Sequence, residues 1–384
     1  MFTSVSLSLM MTRETLVYAT TPPPLCQTPH RLSPSLMRRG FVLFALLCAA
    51  AIAGGKLPVL VLGSGGFLGS RVLAHLRSRN HSVSEVRGRA HVDLRSPSAL
   101  ASFAAAHGPF STVIFLACEV GGAKFLNAPA SQADIVRNNV QIFESVFPWA
   151  RASGVRVLYA GSYMRHLPDA GAYAAVKALG EEYLAALLPV SLGLGVRLWN
   201  LYGREVRSLK SHVLSDWAAQ CVRAHAIEST SSARERRQFL HVDDAAAALV
   251  GLVEHWADAA AAAERGGAGV DARMLDVSSG EWSRLTDVAE ELSVLATEEG
   301  FGPCPLVAAL TDAPFRQEVS PRPHSPLADA WEMWLPRELY PGDAIARTAV
   351  QRETGGIGWI TRRDGLVDLL RFHAATAARA STDL

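Results

Sequence analysis

LPVLVL-GSGGFLG-SRVLAHL, residues 57–76, decides the fold. Leu57 to Leu62 is a short, almost wholly apolar run rich in branched side chains, the pattern of a strand buried on both faces of a parallel sheet. Gly63, Gly66 and Gly69 follow at once, and Val72, Leu73 and Leu76 then set a helical period. Strand, glycine turn and helix in that order bring free N–H groups at a helix start to the end of a strand, where a pyrophosphate is held. The spacing predicts an α/β fold, a doubly wound parallel Rossmann sheet that binds a dinucleotide through Gly63, Gly66, Phe67, Leu68 and Gly69. A nucleotide-hydrolase P-loop is excluded, because no GxxxxGK[ST] precedes a helix and Gly55-Lys56 stands before the strand.

Outward from this turn, His81 to Val86 is read as the second strand. It leads into Arg87 and Arg89, where an NAD enzyme carries an acidic side chain for the ribose hydroxyl. Two guanidinium groups there suit a 2′-phosphate, so the expected cofactor is NADP, with NAD as the alternative if both arginines are simply solvated. Thr112 to Ala117 is read as a fourth buried strand whose end, Ala117, meets the cofactor, and Val155 to Ala160 as a fifth, closing on Gly161-Ser162. Eleven residues beyond Ser162, Tyr173 and Lys177 stand four apart in a helical run and so share one helix face. This set suits hydride chemistry at a carbinol or ketone. Lys177 is expected to lower the pKa of the Tyr173 phenol toward the phenolate, and Ser162 to hold the substrate oxygen.

The 384-residue chain carries 37 basic and 36 acidic side chains, a formal charge of +1, so no global field draws it to nucleic acid or to an anionic membrane. Its five cysteines (Cys26, Cys48, Cys118, Cys221 and Cys304) lack the spacing of a metal site and are read as free thiols; no metal is expected. Residues 1–56 are set apart as a targeting segment outside the fold. Met37-Arg38-Arg39, the apolar run Phe41 to Ala53 and Ala51-Ile52-Ala53 have the layout of a secretory signal, too short for a stable membrane span. The expected compartment is the secretory pathway or a plastid, or the cytoplasm if translation starts downstream. Residues 57–203 are assigned to the dinucleotide-binding domain, and 204–384 to a smaller C-terminal substrate-binding lobe with segments that return to the first domain. Ala245 to Ala263 reads as an Ala-rich helical scaffold interrupted near Trp256, and the Pro- and Trp-rich stretch 314–341 has no functional reading.

Taken together, the ordered motifs resemble the NAD(P)-dependent epimerase/dehydratase family, the extended short-chain dehydrogenases/reductases, over about Leu57 to Leu370. Arg197-Leu198-Trp199-Asn200-Leu201-Tyr202-Gly203 is similar to the family's RxxNxYG, and Arg237 to Asp244 (RQFLHVDD) to its RxFxHVDD segment. The resemblance implies that Asn200 and Arg237 bind a nucleotide-sugar, that Asp93-Leu94 lies near the adenine, and that the chain forms a homodimer. Asp276 to Gly280 and Gly358-Trp359 through Gly365-Leu366 match weaker C-terminal signatures. Within the family the likeness is to nucleotide-sugar enzymes of the GDP-L-fucose synthase type, carried by Arg87-Gly88-Arg89, Val120-Gly121-Gly122, Gly161-Ser162 and Ser211-His212-Val213. It implies that His212 is an acid for protonating a sugar carbon; the alternative is a histidine without a catalytic role.

The chain departs from that type at Met164, which stands in place of a cysteine base and cannot take a proton. Tyr163-Met164 likewise replaces the Asp-Glu pair of a 4,6-dehydratase. What remains is a nucleotide-sugar epimerase or reductase. Two other readings stay open: a reductase of a non-nucleotide carbonyl such as a flavonoid or steroid, and a non-catalytic dinucleotide-sensing protein.

Overall fold

The computed structural model describes residues 58–308 and 360–382, apart from 127, 168–170, 207, 209, 230–234, 268 and 280. The targeting segment, Cys26, Cys48, the 314–341 stretch and Gly358-Trp359 lie outside the described residues.

The order begins β1 (Val59–Leu62), α1 (Phe67–Ser78), β2 (Val83–Val86), α2 (Pro97–His107), β3 (Thr112–Phe115), α3 (Ala123–Leu126), α4 (Pro129–Ser153), β4 (Arg156–Ser162), α5 (Gly171–Leu187) and β5 (Gly193–Leu198). It continues β6 (Asn200–Tyr202), α6 (Val213–Ala224), β7 (Ile227–Glu228), β8 (Arg236–His241), α7 (Val242–Glu254), α8 (Trp256–Arg265), β9 (Met274–Val277), β10 (Trp282–Arg284), α9 (Leu285–Glu298), β11 (Leu306–Ala308) and α10 (Arg362–Thr382). Six strands form one parallel sheet in the order β2-β1-β3-β4-β5-β9. The chain order reverses between β1 and β3, and in such sheets the crevice beyond the strand ends at that point takes the ligand.

Burial explains the sheet. Every residue of β1 and β3 is buried, because helices cover both faces. One face is packed by α1, α7 and α8, with the run Ala245 to Val250 wholly enclosed against β1 and β4. Alanine lets α7 approach α1 closely, and His255 ends α7 before Trp256 starts α8. The other face carries α2, α4 and α5 around Phe115, Phe143, Phe147 and Tyr159.

The strands expected as fourth and fifth are in fact third and fourth. Between β2 and α2 the backbone folds into turns, His91 and Val92 donating to the Gly88 carbonyl and Ser96 to that of Asp93. No strand forms there.

Later segments divide between the sheet and the lobe. β9 completes the six-stranded sheet beside β5, whereas β6, β8 and β10 form a small three-stranded sheet. α6, α9 and α10 enclose a third core of Trp217, Leu285, Leu292, Leu366 and Leu369. Cys221 on α6 and Cys304 before β11 are disulfide-bonded, correcting the expectation of free thiols, and Cys118 remains the free cysteine among the described residues. The two partners lie 83 positions apart, so spacing alone gave no sign of the bond.

What fixes the site is a buried ion cluster. Glu181, fully buried on α5, accepts from Arg197 Nη2 at 2.8 Å and Nε at 3.1 Å, and also from Arg165 just after β4. Arg197 on β5 is also paired with Asp271 at 2.6 Å. Breaking a buried pair by removing one partner typically costs about 3–5 kcal/mol, because the other charge is left without compensation.

Replacing Cys221 and Cys304 together by serine is expected to lower unfolding stability by about 2–4 kcal/mol in urea titrations, through the freed loop entropy of the unfolded chain. Dithiothreitol would reproduce the loss in the wild type and leave the double variant unmoved.

Candidate active site

The glycine turn is built to approach something closely. Gly63 has φ +91°, and a Cβ placed there would stand 2.7 Å from the Ala117 nitrogen. At Gly69 a Cβ would meet the Gly63 carbonyl at 2.2 Å, so only glycine lets α1 start this near β1. Gly66 is the N-cap of α1; no side chain caps the helix and its first turn holds no acidic residue. The first-turn N–H groups therefore keep their capacity for an anion. This cradle fits a dinucleotide pyrophosphate.

A cavity of about 500 Å³ opens from this cradle. Its walls include Gly63, Gly66, Phe67, Leu68 and Gly69, then Arg87, Arg89, Asp93 and Leu94, then Ala117. Ser162, Tyr173, Lys177, Asn200, His212 and Arg237 line it as well, so every expected site residue reaches one space. Beside Arg87 and Arg89, Arg95 next to Asp93 holds that carboxyl at about 2 by direct hydrogen bonding. Arg87 is paired with Glu85 at 3.3 Å and Arg89 with Glu119 at 3.4 Å. Both arginines are exposed, and exposed pairs are worth at most about 1 kcal/mol, so either can be re-aimed at a phosphate at small cost.

At the other end β4 delivers Ser162, and α5 delivers Tyr173 and Lys177. The buried stripe of α5 runs through Ala174, Lys177, Glu181 and Leu184, so the lysine and its neighbouring glutamate lie one turn apart on one face. Lys177 Nζ donates to the Ala160 carbonyl at 2.6 Å and sits 5.8 Å from the centre of the Tyr173 ring. Burial opposes its charge, yet Cys118 and Tyr159 beside it leave its pKa raised.

Tyr173 behaves otherwise than expected. Its pKa is raised, not lowered, by burial foremost and by neighbouring Cys118, with a hydrogen bond from Ser162 as the opposing influence. Lys177 does not lower it, because its ammonium is engaged with a backbone carbonyl instead of the phenol oxygen. The phenol is accordingly protonated at neutral pH.

Toward the three-stranded sheet, Tyr163 stacks on Trp199 with ring centres 4.7 Å apart, and its hydroxyl donates to Asn200 Oδ1 at 3.2 Å. Asn200 in turn donates to the Gln238 carbonyl at 3.2 Å. Arg237 is anchored by Glu235 at 2.7 Å. Met164 also lines the cavity and brings no ionisable group. His212, at the N-cap of α6, lies beside Phe67 at the start of α1, with ring centres 5.0 Å apart and the planes tilted by 33°, and contacts the Glu205 carboxylate.

Sequence reasoning passed over Cys118, Tyr163, Trp199 and Glu205. Cys118 could have been found, since it directly follows the strand end at Ala117. Nothing local marked Glu205, which lies in a loop and acts on a residue seven positions away.

Comparison with known proteins agrees with this geometry. The sequence model of the NAD dependent epimerase/dehydratase family matches residues 59–262. A probable GDP-L-fucose synthase 1 of Oryza sativa subsp. japonica is 30% identical over 237 residues, covering 53% of this chain and 69% of the relative. Among solved structures, a GDP-6-OMe-4-keto-L-xylo-heptose reductase of C. jejuni superposes with a TM-score of 0.63 at 16% identity, over 84% of this chain and 98% of its own. The GDP-mannoheptose C4 reductase of Campylobacter jejuni with NADP bound does so with a TM-score of 0.59 at 16% identity, over 83% and 98%. At such identity these structures speak for the fold alone. The glycine cradle, the doubly wound sheet and the matched family model together make this chain a member of the NAD dependent epimerase/dehydratase family, an enzyme built around a nicotinamide dinucleotide.

Proposed function

We propose that the protein is an NADP-dependent reductase of a nucleotide-linked keto-sugar. The observation that carries this reading is that Ser162, Tyr173 and Lys177 line one cavity with the dinucleotide cradle. A bound nicotinamide cofactor supplies the hydride. Ser162 holds the ketone oxygen, and Tyr173 gives its hydroxyl proton to that oxygen as charge develops there. The Lys177 ammonium, 5.8 Å from the Tyr173 ring and bonded to the Ala160 carbonyl, adds a positive charge to this end of the cavity.

Arg87 and Arg89 would receive the 2′-phosphate of NADP, and Lys177 the nicotinamide ribose. Asn200 and Arg237 would hold the nucleotide-sugar, as the family resemblance implies. GDP is the favoured carrier because the curated relatives are named for GDP-L-fucose synthesis and two structural neighbours for GDP-heptose reduction. Met164 in the cavity, where a thiol base would stand in those synthases, favours reduction over double epimerisation. His212 remains as a proton carrier for the carbon beside the ketone. A homodimer is retained as part of this reading. For the compartment, the Cys221–Cys304 bond favours an oxidising one, the secretory pathway over the cytoplasm.

With NADPH and a panel of GDP-, UDP- and dTDP-linked 4-keto-hexoses, absorbance loss at the reduced nicotinamide band is expected for a GDP sugar. Tyr173→Phe should lower kcat by about 10²–10⁴-fold with little change in cofactor affinity. Turnover equally fast in that variant, or turnover only on non-nucleotide carbonyls, would refute the reading. Arg87→Ala with Arg89→Ala should raise KM for NADPH on the order of 10–100-fold, from lost charge-assisted hydrogen bonds, and leave KM for NADH nearly unchanged.

A further inference from the structure

The loop between β6 and α6 joins a carboxylate to the cavity histidine. Glu205 Oε2 accepts from His212 Nδ1 at 3.0 Å and from the His212 backbone N–H at 2.8 Å. One oxygen thus fixes both the start of α6 and the plane of the imidazole. Glu205 is itself held: Ser215 Oγ donates to its carbonyl at 2.8 Å, and Ser215 is in turn bonded to the buried His373 of α10 at 3.1 Å. On its other side the His212 ring lies near Phe67 of the glycine turn. The ring is therefore confined by the lobe and by the cofactor cradle together.

A carboxylate on Nδ1 makes that nitrogen the protonated one in the neutral ring and leaves Nε2 as the atom with a free lone pair. We infer that Glu205 is the positioning residue of this enzyme's second proton carrier, holding His212 with Nε2 as its proton-transferring atom. The inference rests on the reading of His212 given above. In the step it serves, Nε2 takes a proton from the carbon beside the sugar ketone, the C–H electron pair forms the new C=C bond, and the carbonyl π pair moves to the ketone oxygen, where Ser162 and Tyr173 hold the enolate. The proton then returns from Nε2 to the same carbon, so no oxidant or reductant is consumed. In D2O the proton on Nε2 exchanges with solvent before the return, so the atom delivered is deuterium.

Glu205 also caps α6, and a purely structural role would end there. Glu205→Gln separates the two, because the amide oxygen still accepts the backbone N–H of His212 but offers the ring no anion. The test measures deuterium uptake by a GDP-linked 4-keto-hexose in D2O with oxidised NADP present, by proton NMR, and in parallel NADPH oxidation and thermal unfolding. The expected result is uptake in the wild type, loss of uptake in His212→Gln, and a fall on the order of 10–100-fold in kcat for exchange in Glu205→Gln. KM and Tm should stay close to wild type, and Glu205→Asp should recover part of the rate. On ¹⁵N-histidine-labelled protein, the resonance that vanishes in His212→Gln should carry the Nδ1–H tautomer and lose it in Glu205→Ala.

Exchange at the wild-type rate in Glu205→Gln, or an Nε2–H tautomer at His212, overturns the inference. So does a fall in exchange accompanied by an equal fall in Tm, which assigns Glu205 to the cap alone. NADPH oxidation without any deuterium uptake in the wild type overturns the inference and leaves the reductase reading standing. Absence of both overturns the reductase reading and the inference with it.

Discussion

The carboxylate of Glu181 holds the site in register. It lies fully buried between Arg197 of β5 and Arg165 beyond β4, and so ties the helix bearing Tyr173 and Lys177 to the strand bearing Ser162. Gly161 shows how closely this is set: a Cβ there would stand 2.6 Å from Glu181 Oε1. The Gly161-Ser162 pair is thus read in physical terms as a glycine that makes room for the buried carboxylate and a serine aimed at the cavity. Two guanidinium groups around one carboxylate offset its desolvation, and Asp271 balances the excess positive charge on Arg197.

From that anchor the chemistry follows by charge and burial. Lys177, one turn before Glu181, is pinned to the Ala160 carbonyl and keeps its ammonium beneath the tyrosine. Burial keeps the Tyr173 pKa raised. The cofactor cradle and this tyrosine share one cavity, and the family match over residues 59–262 spans both.

Much of this was legible in the sequence because it is local. The apolar strand from Val59, the glycines at 63, 66 and 69, and the four-residue spacing of Tyr173 and Lys177 all obey short-range geometry. What escaped notice depends on contacts between distant segments. The Cys221–Cys304 bond spans 83 positions, and the raised Tyr173 pKa reflects enclosure by strand ends and helices that no spacing reveals. The strand count was one too high: between β2 and β3 the chain makes turns at Gly88 and Asp93, which bury Val92 and Leu94 without sheet pairing. Glu205 was invisible because its importance lies in what it touches.

The central claim is hydride transfer from NADPH to the keto carbon of a nucleotide-sugar. Incubating the purified protein with [4-²H]NADPH, labelled on the transferring face, and a GDP-linked 4-keto-hexose tests it most directly, with the product read by mass spectrometry and NMR. The account predicts a product one mass unit heavier, with deuterium on the new carbinol carbon. A product carrying no deuterium, or label that remains wholly in the nicotinamide, would contradict it.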